Sequence, residues 1–142
     1  MPDLVLFACV HNAGRSQMAA AWFNQLADPS KARAISAGTN PGPRVHPEVV
    51  TAMREVGVDL SAAPTTKLTA DLAAPASLLV TMGCGDECPY VPGLKRDDWS
   101  LDDPKGQPLD RVREIRDDVR DRVRALVDRE GWGRADGPAP RG

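Results

Sequence analysis

The sequence predicts a single α/β domain of three layers, in which helices flank a four-stranded parallel sheet. Two short continuous apolar runs, at 4–8 (L-V-L-F-A) and 77–81 (S-L-L-V-T), have the length and composition of strands buried on both faces. Segments of helical pattern lie between them, as parallel strands require. A chain of 142 residues suits one domain with one sizeable core.

Each element has its own signal. The strand at 4–8 runs into Cys9, five residues without proline follow, and Arg15 and Ser16 open a helix expected over 15–27. Met18, Trp22 and Leu26, spaced by four, give that helix one apolar stripe toward the sheet, and Asp28, Pro29 and Ser30 end it. A second strand is expected at 32–37, with Gly38 as a turn. The stretch 39–47 (T-N-P-G-P-R-V-H-P) is a loop, because proline removes donors and restricts its neighbours, and it is expected near the rim of a site.

A helix from 46 or 47 to about 56 has Pro47 at an early position and sends Val49, Val50, Met53 and Val56 toward the core, and Gly57 stops it. A connector at 58–60, a polar stretch at 61–69 and a brief helix at 68–73 lead to the strand at 77–81. A short edge strand is expected at 95–99, followed by the loop W-S-L-D-D-P. Leu109, Val112, Ile115, Val119, Val123 and Leu126 recur at three and four residues through an otherwise charged segment, the pattern of an amphipathic helix that Gly131 ends. The domain is read as 1–132, with 133–142 too poor in apolar surface to order itself.

Composition narrows the function. A formal net charge of −2 with signs mixed throughout gives no basic block for nucleic acid or an anionic membrane. The apolar runs are too short to cross a bilayer. M-P-D-L carries no cationic leader, so three cysteines point to thiol chemistry in a reducing compartment, with cytoplasm the expectation.

The chemistry concentrates at 9–16, C-V-H-N-A-G-R-S. A cysteine at a strand end, facing the N-terminus of the following helix, has its thiolate favoured by aligned peptide dipoles. The residues Val10, His11, Asn12, Ala13, Gly14 and Arg15 can turn their N–H groups inward as a cup for a tetrahedral oxyanion, with the Arg15 guanidinium as a two-pronged donor. The Ser16 hydroxyl, pointing back, would donate to the sulfur. A doubly wound sheet gathers its strand ends at one edge, so Cys9 and Cys84 are expected on the same rim. Cys84 and Cys88 bracket Gly85, Asp86 and Glu87 in a segment able to form a helical turn and to unwind.

The stretch C-V-H-N-A-G-R-S-Q-M-A resembles the phosphate loop of arsenate reductases built on the low-molecular-weight protein tyrosine phosphatase fold. I-S-A-G-T at 35–39, V-T-M-G-C-G-D-E-C-P at 80–89 and W-S-L-D-D-P at 99–104 look like later landmarks of that family, so the likeness covers about the first 130 residues. It implies a Cys9 nucleophile, Arg15 on the anion, and Asn12 tying the cup's conformation. It also implies Asp103 as general acid, with Asp102 the neighbouring alternative. By the same resemblance, Cys84 attacks the Cys9 adduct and Cys88 then attacks Cys84, presenting a disulfide to an external thiol reductant. Arsenate is the implied substrate, with phosphate or sulfate competing. The alternative is a phosphatase for phosphotyrosine or small phosphate esters, which would not need the cysteine pair and usually carries an aromatic residue where Lys105 stands.

The electron donor stays open between thioredoxin and mycothiol or another small thiol, since only three residues separate Cys84 from Cys88. Ala20 stands where relatives place a potassium-binding acid, and 62–66 also lacks one, so no metal is expected. No tightly bound cofactor is expected, and the resemblance is read as a monomer. Trp22 is read as core, Trp99 and Tyr90 as lid or rim, and Trp132 as peripheral. His11 is not read as a base and His46 is expected to cap or precede a helix, while Arg44 and Lys67 are candidates for anion capture.

Overall fold

The computed structural model describes residues 2–82 and 94–134. In chain order its elements are β1 (Asp3–Cys9), α1 (Arg15–Leu26), β2 (Ala32–Gly38), α2 (Pro47–Arg54), α3 (Ala70–Ala73), β3 (Leu78–Thr81), β4 (Lys95–Asp98) and α4 (Leu109–Glu130). The four strands form one parallel sheet in the order β2-β1-β3-β4. β1 lies between β2 and β3 and is buried from Leu4 to Cys9, which explains why its sequence is a continuous apolar run.

Alternation along β1 divides the interior into two layers. Val5, Phe7 and Cys9 face α1, α2 and α4 together with Met18, Phe23, Val49, Met53, Val112 and Val119. Leu6 and Ala8 point the other way, into a smaller cluster with Ala37, Leu68, Ala73 and Leu79 beneath α3. The sheet is therefore sandwiched unequally, and the amphipathic α4 packs along α1 and α2 on the thicker side.

The chain passes from β1 to β2 on one side and returns to β3 on the other. Strand order reverses at β1, and a crevice opens at the carboxyl ends of strands where such a reversal occurs. Cys9 is the last residue of β1. The sheet thus delivers the cysteine to the one edge where this topology leaves room for a ligand.

Several expectations need correction. Gly38 closes β2 by pairing with Cys9 and is not a turn. A Cβ there would sit 2.6 Å from the Val10 carbonyl oxygen and 2.7 Å from the Asn12 nitrogen, so glycine is needed for the phosphate-loop-like segment to lie against β2. Trp99 is core, not rim: it is 8% exposed and its ring lies 5.6 Å from that of Phe7. Trp132 is also buried, edge-on to Phe23 at 5.7 Å, with Nε1 donating to Asp3 Oδ2 at 3.3 Å. Gly133 forms an isolated antiparallel bridge with Ala27. Tyr90 and residues 135–142 lie outside the described residues.

Candidate functional site

The segment after β1 is shaped by what its carbonyl groups do. Cys9 O accepts from Thr39 N at 3.2 Å, Val10 O from Asn40 N at 2.7 Å, His11 O from Gly42 N at 2.9 Å and Ala13 O from His46 N at 2.9 Å. Asn12 O accepts from Gln17 Nε2 at 3.0 Å, and Gly14 O from Met18 N at 3.0 Å as α1 begins. In a trans peptide the N–H points opposite to the preceding C=O. With these carbonyls held outward, the N–H groups of Val10, His11, Asn12, Ala13, Gly14 and Arg15 turn inward. Among the described residues those of 10–14 have no protein acceptor. They form a concave row of donors around the end of β1, an arrangement chemically able to receive an anion.

Asn12 is the turning point of the row. It is fully buried with φ 50, the left-handed region that asparagine tolerates better than most residues. Its Nδ2 donates to Ser16 Oγ at 2.8 Å and its Oδ1 accepts from Thr66 N at 2.9 Å. Ser16 Oγ lies 2.9 Å from Cys9 Sγ. Because Ser16 already accepts from Asn12, its own proton is free to be donated to the sulfur. Cys9 itself is 2% exposed and unpaired.

Arg15 is 8% exposed and held by the segment after β4: it donates to Leu101 O at 3.3 Å and its guanidinium lies 3.7 Å from Asp103 Oδ2. The two neighbouring acids have different partners. Asp102 pairs with Arg111 on α4, whereas Asp103 faces Arg15 and accepts from Lys105 N at 3.0 Å. Pro104 fixes this loop against the cup, since a Cβ on Gly14 would meet Pro104 Cγ at 2.8 Å. Gly14 is therefore required by the approach of the 101–104 loop. Glu48, on the first turn of α2, secures the far side by accepting from Gly106 N at 2.9 Å.

His46 precedes α2 as its N-cap residue, and burial holds its imidazole below the usual value against the opposing pull of Glu48 and Asp103. His11 turns outward, with Nδ1 3.1 Å from Asn40 O. Lys67 donates to Thr39 O at 2.6 Å and Arg44 is exposed, so neither is placed on the cup by a contact of its own. Cys84 and Cys88 lie outside the described residues. Met82, two positions before Cys84, donates to Ala8 O at 2.7 Å, so the chain leaves β3 beside the residue preceding Cys9. No group of three His, Cys, Asp or Glu able to hold a metal exists among the described residues.

Sequence reading did not single out Gln17 or Glu48. Gln17 is a polar residue buried on α1 next to Met18, Ala19 and Ala20, and that misfit was the signal a sequence offers. Glu48 carried no such signal, since an acid in the first turn of a helix is ordinary.

Residues 4–131 match the family described as low molecular weight phosphotyrosine protein phosphatase. The chain belongs to that family. Within it, an arsenate reductase of Staphylococcus aureus is 33% identical over 121 residues, 82% of this chain and 89% of the relative. The solved structure of a Corynebacterium glutamicum thioredoxin-dependent arsenate reductase is 39% identical with a TM-score of 0.77; the alignment covers 89% of this chain, which spans only 61% of that longer one. An arsenate reductase from Archaeoglobus fulgidus is 32% identical with a TM-score of 0.72, covering 87% of this chain and 98% of its own. Family membership accounts for the fold and the cup.

Proposed function

We propose that this protein reduces arsenate to arsenite in the cytoplasm, using Cys9 as nucleophile and an external thiol system as electron source. The observation that carries the reading is the row of inward N–H groups closing around a Ser16-bonded cysteine, on a chain whose relatives of similar length are named arsenate reductases. Arsenate is a tetrahedral oxyanion, and the cup with Arg15 would place its central atom against Cys9 Sγ.

The first step forms a sulfur–arsenic bond as one arsenate oxygen leaves as water, with Asp103 supplying the proton. Its pairing with Arg15, and that of Asp102 with Arg111, support Asp103 as the acid. Cys84 thiolate then attacks Cys9 sulfur. The electrons of the sulfur–arsenic bond pass to arsenic, which departs as arsenite, and a Cys9–Cys84 disulfide remains. Attack by Cys88 on Cys84 frees Cys9 and leaves a Cys84–Cys88 disulfide for the reductant. The parallel pairing of β3 with β1, and the Met82 hydrogen bond to Ala8, support access of the Cys84 segment to Cys9.

No helix among the described residues is long and apolar enough to cross a membrane. Thioredoxin is the first donor to test, because the Corynebacterium relative depends on it; mycothiol is the second. Purified protein supplied with arsenate and a thioredoxin system should release arsenite, and Cys9→Ser should abolish release while keeping the thermal midpoint. Mass spectrometry of Cys88→Ser after arsenate should find Cys9 joined to Cys84. Hydrolysis of phosphotyrosine without arsenite release under either donor would assign the site to ester hydrolysis instead.

A further inference from the structure

The row of outward carbonyls around the cup is held almost entirely by backbone donors, from Thr39, Asn40, Gly42, His46 and Met18. The exception is Asn12 O, whose donor is the side chain of Gln17. The Gln17 amide is buried at 6% exposure, and its nitrogen lies 3.0 Å from Asn12 O, 3.3 Å from Asn12 Oδ1 and 2.9 Å from Pro64 O. Three acceptors around one atom fix the amide with its nitrogen inward, because the reversed amide would set oxygen against oxygen.

We infer that Gln17 is a positioning residue for oxyanion binding: by holding the Asn12 carbonyl outward it aims the Ala13 N–H into the cup, and by reaching Pro64 it fastens the cup to the 64–66 segment. This deepens the site proposed above and rests on that reading of Cys9 within an anion nest. The peptide it controls follows the left-handed Asn12, where the backbone has least intrinsic reason to stay put. The same Asn12 side chain donates to Ser16, which bonds the sulfur, so a loosened Asn12 disturbs both the anion donors and the thiolate's partner.

Two substitutions separate this role from simple packing. Gln17→Met keeps length and burial but removes the donor, and Gln17→Glu sets a carboxylate against three oxygens. Iodoacetamide labelling of the Cys9 peptide, read by mass spectrometry across phosphate concentration, reports anion binding at the sulfur. Gln17→Met should weaken phosphate protection about tenfold, the size expected from losing a buried hydrogen bond. Gln17→Glu should weaken it further. A fall in thermal midpoint with phosphate protection and labelling unchanged would overturn the inference. Should neither variant fold, the wild type decides: the Ala13 amide resonance must shift on phosphate addition and the Gln17 amide protons must exchange slowly. Fast exchange, or an Ala13 resonance indifferent to phosphate, overturns it. Because phosphate replaces arsenate throughout, failure of arsenite release leaves this inference standing, and its failure leaves the arsenate reading intact.

Discussion

At the scale of single residues, the site is a chain of donors that ends on sulfur. Asn12 donates to Ser16, and Ser16 has one proton left for Cys9. A hydrogen bond to a charged group contributes about 1.5–3 kcal/mol, so removing the hydroxyl should matter more to the thiolate than to the fold. Ser16→Ala is expected to slow the chemical step about tenfold or more, and to slow Cys9 labelling by iodoacetamide at fixed pH, with the thermal midpoint little changed. Unaltered labelling would show that the helix dipole and the N–H row suffice without the serine. Much of this was legible in the sequence, because a cysteine and an arginine six positions apart, with an apolar strand before and a helix after, leave the backbone few arrangements. What sequence could not show was the outer support. The donors from 39–46 that turn the carbonyls out are mostly main-chain groups, which no residue type advertises.

At the scale of elements, the joint between α2 and α4 is polar at its edge. Glu55, the C-cap residue of α2, accepts from Arg113 Nη2 at 2.7 Å and from Arg116 Nη1 at 2.9 Å, and Arg116 also donates to Ala52 O at 2.9 Å. The hydrogen bond from Arg113, with Arg116 adding to it, lowers the Glu55 carboxyl from 4.5 to about 2. A carboxyl lowered on folding contributes stability that is complete above its ordinary value and disappears as pH falls toward the folded value. Glu55→Gln should therefore have a lower urea midpoint than wild type at pH 7, and the two curves should converge between pH 4.5 and about 2. A gap that persists at pH 2 would assign the difference to packing. The helices themselves were readable from their periodicity, but this joint was not: an arginine every few residues along α4 looks the same whether it faces water or a partner helix.

At the scale of the molecule, the cup and the 101–104 loop are carried by different elements. The cup is carried by β1, α1 and the 39–46 segment, whereas Asp103 arrives from beyond β4, across the β1–β3–β4 side of the sheet. Trp99 joins the two. Its backbone N–H donates to Thr81 O at 2.8 Å, its Nε1 to Asp97 Oδ2 at 3.2 Å, and its ring packs on Phe7, two residues before Cys9. Leu101, two residues later, receives the Arg15 guanidinium. A tryptophan among Asp, Ser and Asp has no periodic neighbours to announce burial, so its place in the core follows from the register of β4 on β3 and not from local pattern. Trp99→Ala should cost about 3–5 kcal/mol by urea unfolding, the usual range for a large aromatic removed from a core. It should also detach the support of the 101–104 loop while leaving β1 and the 39–46 contacts in place. Arsenate turnover should then fall several-fold more than phosphate protection of Cys9, and Trp99→Phe should restore most of the turnover. Equal losses in both measurements would mean that cup and acid loop are one mechanical unit.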